Sequence, residues 1–420
     1  MTGEIVLHGW VHSIRDMGGL VFFILRNRDG STQVTAKKEV VPDKLFKEIA
    51  GLGREDCVIV HGDFQPAPRA IGGKELIPTK VEIVAKAESP LPLETSEKIE
   101  SGKHTRFAYR FLDVRHPQIS AAMKVRSVVT DAFRKYFLAK GLTEVHTPVI
   151  QAAGAEGGST LFPVVYYNKE AFLRQSPQLY KQILMASGLD RVFEIGPAFR
   201  AEKFHTRRHV SEFISVDVEL AWIKGMDDVL MFIENMIVEV LKDIKERSKD
   251  EFTVLGQEIT IPKLPFKRVT YDEALKLLKK ANITIEWGSD MDDSQEKVLG
   301  DLLAKEGHEW YFITGYPAVS KPFYIMMDGK VSFGFDLAYK GMEISSGGQR
   351  EHRPKELVKM MKQKGLDPEQ FRFYVDAFRY GMPPHGGFGL GLDRVVQQLT
   401  GLDNVKEVIL FPRTPEMLVP

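Results

Sequence analysis

Apolar and polar residues alternate through most of the first 88 positions. EIVLHGWVHSI, LVFFILRNRDGSTQVTA, CVIVHGDFQPA and ELIPTKVEIVA carry the period of two expected of half-buried strands. The turn signals MGG, RDGS and IGGKE separate them. One amphipathic stretch, DKLFKEIAGLG, interrupts the series as a short helix. Five strands or so with a single helix predict a small Greek-key barrel of the OB type over residues 1–88. Such barrels offer a strand face to oligonucleotides.

The pattern then changes. SPLPLETSEKIESGKHTR, within 89–118, is rich in Pro, Ser and charge and reads as a hinge or linker. From 119 to 420, helices and strands mix. In ISAAMKVRSVVTDAFRKYFLAKG, the apolar positions Met123, Val125, Val129, Ala132, Phe133, Tyr136 and Phe137 recur at helical spacing, and Gly141 ends the run. MDDVLMFIENMIVEVLKDIKER predicts a second long helix. VFEIGPAFRAE and EFISVDVELAWI alternate at period two on either side of a loop, as an antiparallel hairpin does. The later strands do not alternate one by one with helices. The fold class is therefore α+β, with an antiparallel sheet rather than a Rossmann fold. No internal repeat is present.

At 420 residues with 43% hydrophobic content, the chain is long enough for two or three domains and a sizeable core. Lys plus Arg balances Asp plus Glu at 57 each. A general polyanion coat is thereby excluded, and any nucleic acid must meet a local patch. The single cysteine, Cys57, rules out a disulfide framework and a CxxC zinc site within one chain. It predicts a reducing, cytoplasmic setting. MTGEIVLHGW lacks the basic and apolar regions of a signal peptide. No apolar run reaches the length of a membrane span, so no membrane partner is expected.

Four stretches could carry chemistry. FRAEKFHTRRHVSEF, at 199–213, gathers Lys203, His205, Arg207, Arg208 and His209 at a hairpin tip. Period two sets Glu194, Arg200 and Glu202 on one face, opposite Ser215, Asp217 and Glu219 on the return strand. That charged platform is either an anion grip, with Arg200 bidentate on a phosphate or carboxylate, or a cross-strand salt-bridge ladder. GFGLGLDR, at 387–394, has three glycines followed by Arg394. Glycines allow close backbone approach, and a helix start favours anions. The stretch fits neither a P-loop nor a dinucleotide fingerprint. FDLAYKGMEISSGGQREH holds Asp336 and Glu343 with Ser345, Ser346 and Arg350 nearby. These are either Mg²⁺ holders or surface carboxylates in a turn. QSPQLYKQ reads as a helix start with Ser176 as N-cap and Pro177 at N1. Gln178 and Lys181 then share a face, as they also would on a plain surface helix.

Taken together, these stretches resemble the class II aminoacyl-tRNA synthetases, and within them the archaeal-type aspartyl enzymes, over nearly the whole chain. GLTEVHTPVI is similar to motif 1, with Pro148 at the expected homodimer interface. The FRAE hairpin and its TRRH loop are similar to motif 2, and GFGLGLDR to motif 3. QSPQLYKQ and EISSGGQRE resemble the amino-acid pocket of the aspartate enzymes.

The resemblance implies a class II antiparallel-sheet catalytic domain behind an OB-fold anticodon-binding barrel. It implies ATP and L-aspartate as substrates, Mg²⁺, and tRNA as the acceptor. Arg200, Arg394 and Glu343 would be catalytic. ATP would meet Arg200, Ala201, Glu202, Arg208, His209, Val210 and Glu343, with Gly391, Leu392, Asp393 and Arg394 from motif 3. Aspartate would meet Glu156, Gln178, Leu179, Tyr180, Lys181, Arg200, Ser346 and Arg350, with Glu156 taking the α-ammonium group. Glu343, Ser346 and Asp336 would hold the metal. A carboxylate then attacks the α-phosphorus in line. The nucleophile is already ionised, so no general base is required. Losing one charge contact would cost about 10²–10³ in rate.

Asparaginyl synthetases share this architecture, and EKFHTRRHVSEF and FPRTPEMLVP resemble that branch. Lys181 favours aspartate, because beside an amide a second cation would stay unpaired. A tRNA-independent asparagine synthetase is a further alternative, but its relatives lack the barrel. A non-catalytic RNA-binding protein is another, opposed by intact Arg200, Glu343 and Arg394. On the barrel, Phe22, Phe23 and Phe64 are candidates for stacking on bases. His12 stands where tRNA-discriminating archaeal relatives tend to have Trp, and Ile71 lies in the other anticodon-tuning region. Both point to a non-discriminating enzyme that charges aspartate and asparagine tRNAs. Such an enzyme calls for a transamidase downstream.

Overall fold

A computed structural model describes residues 5–95, 101–152, 160–203 and 206–420. The chain forms two compact units, Met1–His116 and Pro117–Pro420.

In the first unit, five strands close into a barrel in the order Ile5–Asp16, Leu20–Asn27, Gly30–Lys37, Lys74–Ala85, Cys57–Pro66. Alternation sends Val11, Val21, Phe23, Leu25, Val34, Val58, Val60 and Leu76 inward. The helix Asp43–Ala50 adds Leu45, Phe46 and Ile49 to that core. Phe23 is fully buried there, so it packs the barrel instead of stacking on a base. Phe22, its neighbour on the opposite face, is half-buried. The ring of Phe64 lies under the Lys74 ammonium at 4.3 Å. The stretch expected as a linker includes two short helices, Lys103–Ala108 and Arg110–Asp113. Arg106 Nε donates to Asp113 at 2.7 Å.

The second unit is built on an eight-stranded sheet. Its order is Lys267–Thr270, Trp310–Thr314, Gly334–Tyr339, Met342–Gln349, His385–Gly391, Glu212–Ala221, Arg191–Phe199, Thr143–Glu144. The outermost pair at each edge is parallel, and the pairs between them are antiparallel. The long helices Pro117–Ala139 and Met226–Arg247 present Phe133, Phe137, Ile233 and Ile237 to one face of this sheet. There they meet Phe193, Val216, Val218, Phe335 and Phe388. Each such fully buried side chain contributes roughly 1.5–3 kcal/mol. One face is thus committed to the core, and the other is left for polar groups.

Candidate active site

The polar face of the sheet lines a cavity of about 550 Å³. Its register follows from the motif 2-like hairpin. Glu194 pairs with Asp217 and Gly196 with Ser215, while Val216 and Val218 enter the core. The strands stop at Phe199 and resume at Glu212. Arg200 therefore stands at the mouth of the hairpin, where its N–H donates to Ser211 O at 2.9 Å. Its guanidinium lies 5.5 Å from the Phe213 ring. Glu202, Arg208, His209 and Val210 from the same loop also line the cavity. Ala201 does not; its N–H donates to Thr160 O at 2.8 Å.

The acid pair comes from the next hairpin. Tyr339 pairs with Met342 across a two-residue turn, Lys340–Gly341, with positive φ at both central residues, as a tight hairpin requires. Asp336 is paired with Ser346 and Ala338 with Glu343, so the register slips by one residue. The extra residue is Ile344, which turns into the core. This bulge is what lets Glu343 and Ser346, three apart, open on the same cavity as Asp336. Burial, reinforced by repulsion from Glu343, raises the Asp336 carboxyl above its ordinary range, against the pull of Lys321. Burial works on Glu343 in the same sense, but Arg394, Lys321, Arg200 and Arg208 together hold it low.

Arg394 enters from the helix Leu392–Thr400. Its Nη1 donates to Glu343 O at 2.9 Å and lies 3.9 Å from the Glu343 carboxylate. Arg200 and Arg394 line the same cavity. Burial, with the neighbouring Arg208 and Arg200 charges, pushes Arg394 below its ordinary value. Three guanidinium groups, Arg200, Arg208 and Arg394, thus border one space, and such groups can grip phosphate or carboxylate oxygens bidentately. His209 is held below its ordinary range by burial and by Arg394, which keeps it neutral. Its Nδ1 is 2.6 Å from Thr206 Oγ1.

Residues 102–415 match the family of class II tRNA synthetases (D, K and N), and residues 5–86 match the OB-fold nucleic acid binding domain. The chain belongs to the class II tRNA synthetases. An aspartate–tRNA(Asp) ligase of Pyrococcus abyssi is 47% identical over 99% of this chain and 96% of that relative. An aspartate–tRNA(Asp/Asn) ligase of Methanopyrus kandleri is 45% identical over 99% of this chain and 96% of that protein. Among solved structures, asparaginyl-tRNA synthetase from Pyrococcus horikoshii complexed with asparaginyl-adenylate superposes with a TM-score of 0.93. Its identity is 35%, with 99% of this chain and 96% of that one covered.

The structure departs from the sequence reading at Lys181. Lys181 is buried and absent from the cavity wall. Its Nζ donates to Asp217 Oδ1 at 2.9 Å and Phe388 O at 2.9 Å, with Glu219 at 3.5 Å. Arg350 Nε and Nη2 are engaged by Glu219 at 2.8 and 3.2 Å. Two cations thus meet two carboxylates, as buried charges must. The argument from an unpaired Lys181 does not hold, because Asp217 already pairs it. Burial and Glu219 act in opposite senses on Arg350, and Glu219 prevails to raise it.

The helix Gln178–Ile183 begins one residue later than expected. Pro177 takes the cap position, and Ser176 Oγ accepts only a 3.4 Å bond from the Gln178 N–H. Gln178 lines the cavity with Arg350, while Leu179 packs in a second core cluster. Tyr180 faces a separate small pocket beside Phe373. Glu156 lies outside the described residues.

In the motif 3-like strand, Gly387 serves the protein itself. A Cβ there would meet Val218 O at 2.1 Å and Glu219 Oε2 at 2.4 Å, so the missing side chain is the space Glu219 occupies. Gly391 and Asp393 border the cavity, and Leu392 is core. The Asp393 oxygens are engaged by Arg126 at 2.5 Å and by the Ile214 N–H at 2.9 Å.

In the barrel, His12 sits at a bulge between Val11 and Ser13. Arg26 Nη1 donates to its Nδ1 at 2.8 Å, and Arg26 Nη2 donates to Glu55 at 2.7 Å. Ile71 is exposed.

Two groups in the cavity were missed by sequence reasoning. Glu296, from the helix Asp293–Lys305, holds Arg208 Nη1 at 2.5 Å and accepts the Glu343 N–H at 3.3 Å. Lys321 bonds both oxygens of Asp336 at 3.1 and 3.0 Å. Neither sits in a motif, and an acid on an amphipathic helix gives no signal of its role.

Proposed function

We propose that this synthetase attaches L-aspartate to tRNA through an aspartyl-adenylate. One observation carries the reading. Arg200, Arg394 and the Asp336–Glu343 pair, from three separate segments, converge on one cavity, in a chain whose nearly full-length relatives are aspartate–tRNA ligases. Both reactants are anions, so their mutual repulsion has to be cancelled before they touch. Arg200 would draw the substrate carboxylate and the α-phosphate together, and Arg394 would take the outer phosphates. Glu202, Arg208, His209 and Val210 would frame the nucleotide. Such pre-positioned charge is worth most as charge builds on phosphorus.

Asp336, Glu343 and Ser346 offer hard oxygen donors on one surface. Among the described residues, no group of three or more His, Cys, Asp or Glu is placed to hold a metal. Two carboxylates and a hydroxyl suit Mg²⁺, which completes its shell with water and substrate oxygens. When bound, Mg²⁺ would neutralise triphosphate charge. Gln178, Arg350 and Ser346 would line the aspartate subsite, with Lys181 and Glu219 behind them, and Glu156 would receive the ammonium group.

The barrel of 1–88 would read the anticodon, joined through the hinge 89–118 to the catalytic domain 119–420. We read tRNA selection as non-discriminating, through His12 and Ile71, which calls for a transamidase to repair aspartyl-tRNA(Asn). A homodimer through the segment around Pro148 and a cytoplasmic setting complete the proposal. Among the described residues no helix is long and apolar enough to cross a membrane.

ATP–pyrophosphate exchange with aspartate against asparagine tests the amino acid, and aspartylation of purified aspartate and asparagine tRNAs tests the breadth. Preference for asparagine in exchange would favour the asparaginyl reading, which the 0.93 TM-score of the asparaginyl structure keeps in view. Charging of the aspartate tRNA alone would overturn non-discrimination and leave the enzyme assignment standing.

A further inference from the structure

Lys321 lies outside every motif, yet it has a built seat. Its stem crosses Gly334, where a Cβ would meet Lys321 Cγ at 3.3 Å and Cδ at 3.4 Å. Its ammonium is 3.7 Å from the centre of the Tyr316 ring. The same ammonium reaches both oxygens of Asp336 and borders the cavity with Asp336, Glu343 and Arg394. Asp336 and Glu343 repel each other. Arg394 stands beside the Glu343 carboxylate, and Lys321 is the cation within hydrogen-bond distance of Asp336, where a close opposite charge offsets that repulsion.

We infer that Lys321 is the resident counter-cation of Asp336, a positioning residue that competes with Mg²⁺ for the Asp336 oxygens. This deepens the proposed Mg²⁺–ATP reading of the cavity and rests on it. Before nucleotide arrives, Lys321 holds both oxygens of Asp336 at the cavity wall. Because the same two oxygens serve both cations, the metal cannot take them until the ammonium leaves. Affinity for metal alone is therefore low, and metal enters together with the triphosphate, whose negative charge gives the displaced ammonium a new partner.

The test titrates Mg²⁺ alone into the full chain by calorimetry, without ATP, amino acid or tRNA. Wild type is expected to bind weakly. Lys321→Met, which keeps the stem and removes the charge, is expected to bind Mg²⁺ at least about tenfold more tightly, as one close opposite charge shifts such equilibria. Lys321→Arg keeps the charge and is expected to bind as weakly as wild type. K321M/D336N is expected to lose the gain. In EDTA, K321M should melt below wild type, and added Mg²⁺ should raise its melting temperature more than that of wild type. If K321M binds Mg²⁺ no more tightly than wild type, or K321R binds as tightly as K321M, the inference fails. Should K321M prove insoluble, Lys321→Gln, which also removes the charge, is read the same way. None of these arms uses aspartate or tRNA, so a wrong amino-acid assignment would leave their outcome unchanged.

Discussion

Arg208 and Glu296 come from elements 88 residues apart and meet at 2.5 Å on the cavity wall. Asp293, one turn earlier on the same helix, also pairs with Arg208. The basic hairpin tip is therefore held by an acidic helix that carries no motif. Burial and the proximity of Glu343 raise the Glu296 carboxyl despite Arg208, so this acid is expensive to keep unless it positions the arginine. Glu296→Ala is expected to raise the KM for ATP about tenfold, the scale of one charge-assisted bond, and to move the KM for aspartate less than about twofold by the same measure. Steady-state pyrophosphate exchange with each substrate varied in turn checks this. Equal rises in both constants would argue for a general loss of structure.

His385 gives the protein an acid-side weakness. Its Nδ1 donates to Pro383 O at 2.9 Å, and its Nε2 accepts from Gln182 at 3.0 Å, so the ring is neutral with a fixed tautomer. Burial pushes it down to about 4. The unfolded chain therefore binds a proton below its ordinary value of about 6.5 that the folded chain refuses, and stability rises with pH across this window. The contribution is complete above about pH 6.5 and is lost as pH falls towards about 4. It is worth on the order of 3 kcal/mol. His385→Asn should flatten that part of a plot of melting temperature against pH.

Asp393 is expected to behave as a structural residue. It ties the helix Pro117–Ala139, through Arg126, to the hairpin backbone at Ile214. Asp393→Asn keeps an acceptor for Ile214 and loses the ion pair, at a cost of about 1–3 kcal/mol. Urea unfolding should detect the loss, while the KM for ATP changes less than about threefold, since the bond lost is not to nucleotide. A large rise in KM at unchanged stability would return Asp393 to nucleotide binding.

Two glycines of one strand should respond in opposite ways. Gly387→Ala drives a methyl into Val218 O and Glu219 and should cost about 3 kcal/mol or more by overpacking, visible as a lower melting temperature or lost soluble yield. The atoms nearest to a Cβ at Gly391 belong to the Arg394 stem, at 3.6 Å and beyond, an ordinary contact distance, so Gly391→Ala should fold normally.

Much of this protein is local, and the local part was legible. Period two in the 191–221 hairpin, and in the barrel strands where apolar and polar residues alternate, marked which residues face inward, because such a strand is amphipathic by itself. The long helix Pro117–Ala139 declared itself through the helical spacing of residues such as Phe133 and Phe137, and both lie in the core. Motif order placed Arg200, Glu343 and Arg394, and all three border one cavity.

What the chain kept to itself depends on partners brought together across space. Lys181 looked like an unpaired cation because nothing in QSPQLYKQ reveals Asp217, 36 residues away and 2.9 Å from its ammonium. Phe22 and Phe23 differ by one position, and only closure of the barrel decides that Phe23 fills it. The bulge at Ile344 makes the same point most sharply. By parity alone, Glu343 and Ser346 belong on opposite faces, and only the pairing with Asp336 and Ala338 puts both into the cavity. Residue type and spacing determine which side of an element is wet. Which charge finds which counter-charge is decided by the tertiary fold, because a buried ion is stable only beside the partner that the fold delivers.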